Sequence, residues 1–365
     1  MESPFNVTKE GDAHSMTVIK QVVGIDIAKD TFSVRFGTIS DRQEERFLAS
    51  AAFPNEKRGF RKLLEWTRKQ IISPDAPLWF VMEATGAYYE HVAYFLHEHD
   101  QQLAVLLPNK VKHFAKTLEG KSKTDRLDAR SICQFGLERP LHAWQAPSPQ
   151  MKLLKELSRE YNAVQEMATQ VKNQLHAKDH TYQPSPETTQ RLRAQLQLFQ
   201  KQLRSIEQQL RSLVNDDDDL RRRIANITSV KGIGFMTAVT AVAETNGFAL
   251  ITSEKQITSY AGLDIVIRES GKQQGKPALS KKGNRHLRRA VFMPALAACR
   301  FNPALRAFYL RLVRTKASKK VALLAVARKL LCLIYILWKK NVPYDPDYRH
   351  QNIRSVPDNF ALQTA

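Results

Sequence analysis

Cysteine is scarce in this chain of 365 residues. Cys133, Cys299 and Cys332 lie far apart with no paired spacing. They support neither a disulfide framework nor a zinc knuckle, and they fit a reducing cytoplasm. The first 18 residues are polar, carry acids and lack an apolar core. They read as an N-terminal extension rather than a signal peptide, with Met16 an alternative start. One long apolar run stands out, Val321 to Trp338, and Arg328 and Lys329 sit at its middle. A spanning helix tolerates central charge poorly, so the run reads as a packed helix and no membrane partner is expected. Acid is short as well, with 36 Asp plus Glu against 56 Lys plus Arg and a net charge of +20. Such an excess points to a polyanionic partner. Between residues 268 and 340 there are 19 Lys or Arg and one acid, Glu269, so nearly all of the excess sits in one segment.

The length allows two or three domains with ample core. Residues 21–28, 32–38, 44–53, 78–83 and 103–107 read as strands, and 56–70, 87–99, 109–119 and 124–138 as helices. The order βββαβαβα predicts an α/β mixed sheet covered by helices, the order of an RNase H-like fold. From about 150 to 214 the composition turns to Gln, Leu, Lys, Arg and Glu, broken at Pro184 and Pro186. Leu196, Leu198, Leu203, Ile206, Leu210 and Leu213 give an apolar seam, so a helical coiled-coil hairpin is expected. Asn215 and Asp216 to Asp219 read as a solvated hinge, because consecutive acids point apart. Residues 225–340 are expected to be mostly α. The expected domains are 1–18 (extension), 19–148, 149–220 (hairpin), 221–345 and 346–365 (tail).

Acids gather where few are present. Asp26 lies in Val22-Val23-Gly24-Ile25-Asp26-Ile27 and Glu83 ends Leu78-Trp79-Phe80-Val81-Met82-Glu83. Asp125 and Asp128 follow a basic stretch, and three residues apart on a helix they share a face. An ionised acid beside strand-like apolar residues needs a partner, and Mg²⁺ prefers carboxylate oxygens. Together the four predict a site for one or two ions, which suits phosphoryl chemistry. Ser229-Val230-Lys231-Gly232-Ile233-Gly234 lies between helical runs, in the manner of a helix-hairpin-helix. Its glycines fit phosphate contact at a helix N-terminus and a plain helix–helix turn equally well. His97-Glu98-His99 imitates a paired-histidine nuclease site, but alternate side chains at a helix end diverge, so it reads as solvated surface.

Gly24-Ile25-Asp26-Ile27-Ala28-Lys29, Met82-Glu83-Ala84-Thr85-Gly86 and Lys123-Thr124-Asp125 through Asp128-Ala129-Arg130 resemble the DEDD transposases of bacterial insertion sequences. More narrowly, they resemble the insertion-sequence-one-ten family of bridge-RNA-guided recombinases. The likeness continues through Ala143-Trp144-Gln145-Ala146-Pro147, Val230-Lys231-Gly232-Ile233-Gly234, Tyr260-Ala261-Gly262-Leu263, Glu269-Ser270-Gly271, Ser280-Lys281-Lys282-Gly283 and Leu287-Arg288-Arg289. The resemblance implies a RuvC-like domain with Asp26, Glu83, Asp125 and Asp128 as its Mg²⁺ tetrad. It implies a transposase domain in which Ser270 is the nucleophile of a covalent serine–DNA intermediate. It further implies a structured bridge RNA, donor and target double-stranded DNA, and a homo-oligomer, dimeric or tetrameric on DNA. The active site would combine the two domains from different protomers, in the nucleoid-associated cytoplasm of a bacterium. The chain departs from the family in its longer N-terminus and in Val230-Lys231-Gly232, where Ile-Pro-Gly is common.

Read without the family, Ser270 is a loop residue at the head of the basic segment. Lys272, Lys276, Lys281, Lys282 and Arg285 are placed to screen a phosphate, and Lys231, Gly232, Gly234, Arg288 and Arg289 join them as expected nucleic-acid contacts. Ser280 is a rival serine that reads better as preceding or capping the helix near Gly283. Two alternatives to a recombinase remain: a RuvC-like nuclease or junction resolvase using metal-activated water, and a non-catalytic nucleic-acid scaffold.

Overall fold

The computed structural model describes residues 17–84, 86–106, 111, 114, 129–266, 269–270, 273–274, 278–315 and 318–347. The chain divides into two compact units, Met1–Ala146 and Pro147–Ala365.

In the first unit the strands β1 (Val18–Ile27), β2 (Thr31–Ser40), β3 (Glu45–Pro54), β4 (Leu78–Glu83) and β5 (Leu103–Leu106) form one sheet of order β3-β2-β1-β4-β5. β1, β2 and β3 pair antiparallel, while β4 lies parallel to both β1 and β5. This mixed five-stranded sheet is compatible with an RNase H-like domain. The helices are α1 (Lys57–Arg68), α2 (Glu90–Glu98) and α3 (Ala129–Glu138). Side chains alternate between faces along a strand. Val23, Ile25, Phe80 and Met82 therefore pack with α1 and α2 residues such as Phe60, Leu63 and Leu96. Val22 and Val81 pack on the other face with Ile132, Cys133 and Leu137 of α3.

The second unit begins with α4 (Pro149–Asp179) and α5 (Pro186–Asn215), two long helices that pack against each other. Both start with a Ser-Pro pair: Ser148 accepts from the Met151 amide and Ser185 from the Thr188 amide, each with proline at the first helical position. Serine satisfies an orphan N–H there, and proline has none to lose. On α4, Leu154, Leu157, Val164, Ala168 and Val171 are buried, with half-buried Tyr161 completing alternating steps of three and four. On α5 the same steps run through Leu196, Phe199, Leu203, Ile206, Leu210 and Leu213. Phe199 occupies the stripe, whereas Leu198 is 54 % exposed.

The remaining helices are α6 (Asp218–Thr228), α7 (Phe235–Glu244), α8 (Glu254–Tyr260), α9 (Arg285–Ala290), α10 (Phe292–Phe301), α11 (Pro303–Thr315) and α12 (Lys319–Lys340). The acid run breaks the helix as expected: α5 ends at Asn215, α6 starts at Asp218, and Asp216, Asp218 and Asp219 are exposed. Asp217 caps α6 by accepting from the Leu220 amide, and Asp218 and Asp219 pair with Arg221, Arg222 and Arg223. Acids in a first helical turn complement the helix dipole, which is why the run starts a helix. α12 contains the long apolar run, and Val326, Leu330, Leu331 and Ile334 are wholly buried in the main core of this unit. Arg328 and Lys329 face outward, with Lys329 Nζ 4.9 Å from the Phe308 ring centroid.

Two short strand pairs interrupt this helical unit. β6 (Ile265–Val266) pairs with β9 (Ala278–Leu279), and β7 (Glu269–Ser270) with β8 (Gln273–Gln274), all antiparallel. The segment expected to be a loop is thus a β-hairpin. Ser270 pairs with Gln273 and Glu269 with Gln274.

Candidate active site

Asp26 and Glu83 stand side by side. β1 and β4 run parallel with Ile25 opposite Met82, so the next residue on each strand is an acid. Adjacent strands lie about 4.8 Å apart. Both acids are half-buried, and both follow the alternation of Val22 and Val81 onto the α3 face. A hard divalent cation fits two carboxylates placed this way.

Two glycines govern how α3 meets that face. A Cβ on Gly24 would sit 2.3 Å from the Ala129 carbonyl oxygen and 2.3 Å from the Cys133 nitrogen. A Cβ on Gly136 would sit 2.7 Å from Val22 Cγ1 and 2.9 Å from Val81 Cγ2. Passing from Val22 to Gly24 along β1 therefore means passing from Gly136 back to Ala129 along α3. The start of α3 lies at the Asp26 end of the strand. At the other end, Lys20 Nζ donates to the carbonyls of Gly136, Leu137 and Arg139 at 2.8, 2.8 and 3.1 Å. Cys133 is part of this packing and not of the chemistry: burial pushes its thiol up to about 12. Asp125 and Asp128 lie outside the described residues, Asp128 directly preceding Ala129 in sequence. Among the described residues no group of three or more His, Cys, Asp or Glu gathers as a metal cluster.

The histidine decoy resolves as divergence. His99 stacks on Phe95 with ring centroids 4.0 Å apart, whereas His97 meets Trp144 edge-on at 5.9 Å.

Residues 23–184 match a DEDD transposase family of IS110 type, and residues 224–310 match the Transposase IS116/IS110/IS902 family. The chain belongs to the IS110 family of transposases. It is 28% identical over 334 residues to a pilin gene-inverting protein of Moraxella lacunata, covering 89% of this chain and 98% of that one. A pilin gene-inverting protein of Moraxella bovis is 27% identical over the same shares. A shorter match, 28% identical over 33% of this chain and 29% of the other, is an insertion element IS110 protein of Streptomyces coelicolor. The chain is a DNA transposase or recombinase.

In this transposase the expected nucleic-acid residues fall into distinct settings. Lys231, Lys281, Lys282 and Arg285 are exposed. Arg288 donates to the Ala261 carbonyl at 2.7 Å, and Arg289 pairs with Glu166 of α4. Lys272 and Lys276 lie outside the described residues, and Ser270 is described by its backbone. The two glycines of the helix-hairpin-helix motif separate. Gly232 has φ +107° and would bring a Cβ within 2.7 Å of the Ala298 nitrogen in α10, so packing requires it. Gly234 caps α7 with open space around it. Ser280 does not cap α9. Asn284 does, while Ser280 donates to Asp264 Oδ1 at 2.6 Å.

The sequence reading missed Glu244. It ends the run Ala241-Val242-Ala243 just as Glu83 ends its own, and its side chain is fully buried. Arg159 of α4 donates to its Oε1 and Oε2 at 2.6 and 3.0 Å, and Asn284 Nδ2 donates to Oε2 at 2.6 Å. Burial opposes the charged form, but the Arg159 and Asn284 hydrogen bonds outweigh it and hold the carboxyl below its usual range. A folded pKa below the unfolded value of about 4.3 adds stability above that value, lost as pH falls through the folded one. The wild type is therefore expected to lose Tm faster than Glu244→Gln on acidification below about pH 5. Thermal unfolding from pH 7 to pH 3 checks this, and parallel curves would discard it.

Proposed function

We propose that this transposase cuts and rejoins donor and target DNA through a serine–DNA linkage at Ser270, with Asp26, Glu83, Asp125 and Asp128 holding Mg²⁺. The observation that carries the reading is that Asp26 and Glu83 each directly follow the registered pair Ile25–Met82, on the face where α3 begins. Asp128 is the residue before that helix, which supports a third ligand from the same end. When bound there, Mg²⁺ would neutralise charge on a phosphate and lower the cost of ionising a nearby hydroxyl.

Ser270 lies on a short antiparallel strand pair in the most basic part of the chain. Its Oγ forms a bond to phosphorus as one P–O bond of the DNA backbone breaks, and the departing deoxyribose hydroxyl takes up a proton. The phosphoester retains the energy of the broken linkage, so a second hydroxyl can reverse the step without a high-energy cofactor. Exposed Lys281, Lys282 and Arg285 hold DNA or RNA backbone. The family resemblance supports a structured bridge RNA as guide and a homo-oligomeric assembly. The three-four stripes of α4 and α5 support a coiled-coil arm within the 149–220 domain.

The test is chemical. Full-length protein is incubated with Mg²⁺, RNA transcribed from the DNA flanking the gene, and a plasmid carrying those flanks. Denaturation and nuclease digestion should leave a nucleotide attached to one peptide, and mass spectrometry should map it to Ser270. Cleaved DNA with free ends and no adduct would favour the nuclease that uses activated water. No cleavage at all would favour the scaffold.

A further inference from the structure

We propose that Arg159 and Asn284, gathered on the buried carboxylate of Glu244, form a clamp that sets the position of the hairpin carrying Ser270. The catalytic part of this inference rests on the reading of Ser270 as nucleophile.

Among the described residues, the hairpin is tied to its unit mainly at its base. Ile265, Val266 and Ala278 are exposed, Ile265 by 59 %, so of the four residues of β6 and β9 Leu279 alone packs against the core of the unit. At the base, the chain entering from α8 and the chain leaving towards α9 are laced together. Ser280 N donates to Asp264 O at 2.9 Å, Lys281 N to Gly262 O at 3.1 Å and Asn284 N to Tyr260 O at 2.7 Å. Gly262 and Gly283 have φ of +66° and +139°, and a Cβ on Gly283 would lie 2.4 Å from the Tyr260 oxygen, so the two strands approach too closely for side chains.

Asn284 joins this base to the core. Its Oδ1 caps α9 by accepting from the Leu287 amide at 3.0 Å, while its Nδ2 donates to Glu244. Tyr260 donates its hydroxyl to the Glu244 carbonyl at 3.0 Å. Arg159 completes the charge balance from α4. A buried carboxylate left without such partners is costly, so its hydrogen bonds are directional and hard to exchange for others. Three segments far apart in sequence thus meet at one carboxylate, and two of them bracket the hairpin. A reacting hydroxyl on that hairpin inherits its placement from the clamp, which makes these positioning residues.

Asn284→Ser tests the clamp without removing the helix cap, because serine caps as well as asparagine. In the full-length variant, amide exchange at Ile265, Val266, Ala278 and Leu279 should accelerate about tenfold, with Ala241 and Val242 unchanged. With saturating plasmid and flank-encoded RNA, the cleavage rate should fall about tenfold to a hundredfold, with DNA affinity within about twofold. Wild-type exchange at the hairpin would overturn the clamp, and faster exchange with a wild-type rate would overturn its positioning role. Ser270→Ala provides the separate control: it should show wild-type exchange and no adduct. If Ser270→Ala cleaves and rejoins normally, the nucleophile reading falls, and hairpin exchange in Asn284→Ser alone decides the clamp.

Discussion

Asp26→Asn is expected to lower strand cleavage by about 10²- to 10³-fold, the loss of roughly 3–4 kcal/mol of transition-state stabilisation. The substitution keeps the size and shape of the side chain, so folding should survive. It removes one of two carboxylates on neighbouring strands that face the same way. The metal-free variant should stay folded and keep a cooperative thermal transition. Added Mg²⁺ should raise the Tm of the wild type, because a ligand that binds only the folded state stabilises it by mass action. That shift should shrink or vanish in Asp26→Asn. A variant that still cleaves at the wild-type rate and keeps the full Mg²⁺-induced shift would remove Asp26 from the metal site.

Gly24→Ala is expected to destabilise the first unit by at least about 3 kcal/mol, although it adds a single methyl group. The methyl would meet the Ala129 oxygen and the Cys133 nitrogen at 2.3 Å. Both are backbone atoms of α3, so no side-chain rotation relieves the clash and the helix must move off the sheet. Its first turn would move away from the Asp26–Glu83 end, so cleavage should fall together with stability. Gly234→Ala supplies the contrast, since nothing lies within 4 Å of its added Cβ. Its cost should stay at about 1 kcal/mol, the exchange of a glycine N-cap for alanine without any clash. Thermal unfolding and amide exchange in β1 check both variants. A Gly24→Ala protein as stable as the wild type would show that α3 does not pack as closely as the glycine contacts require.

Strands were legible because their signal is local. The runs at 21–28, 32–38, 44–53, 78–83 and 103–107 correspond to β1 through β5, with ends displaced by at most a few residues. Edge positions such as Val18 and Ser40 join the ladder through pairing, which no single segment reveals. The seam of α5 was nearly legible. Leu198 was taken for Phe199 because both are apolar, and only packing against α4 distinguishes adjacent positions on a helix. The acid run was legible as a solvated break between helices, but not that Asp217 caps the next helix, which depends on the Leu220 amide it meets. The hairpin around Ser270 was read as a loop since its strands are two residues each, too short for alternation to show.

The sequence alone determined the family, the order of the strands in the first unit, and which acids sit among apolar strand residues. Each of these is carried by neighbouring residues whose spacing or chemistry is visible in the chain. Only the tertiary structure decided that Asp26 and Glu83 share a level and a face, because that depends on the register of two strands more than 50 residues apart. It alone showed that Gly24 admits α3. It also brought Arg159, Glu244 and Asn284 to one buried carboxylate, since a charge can be buried only where distant segments converge to satisfy it.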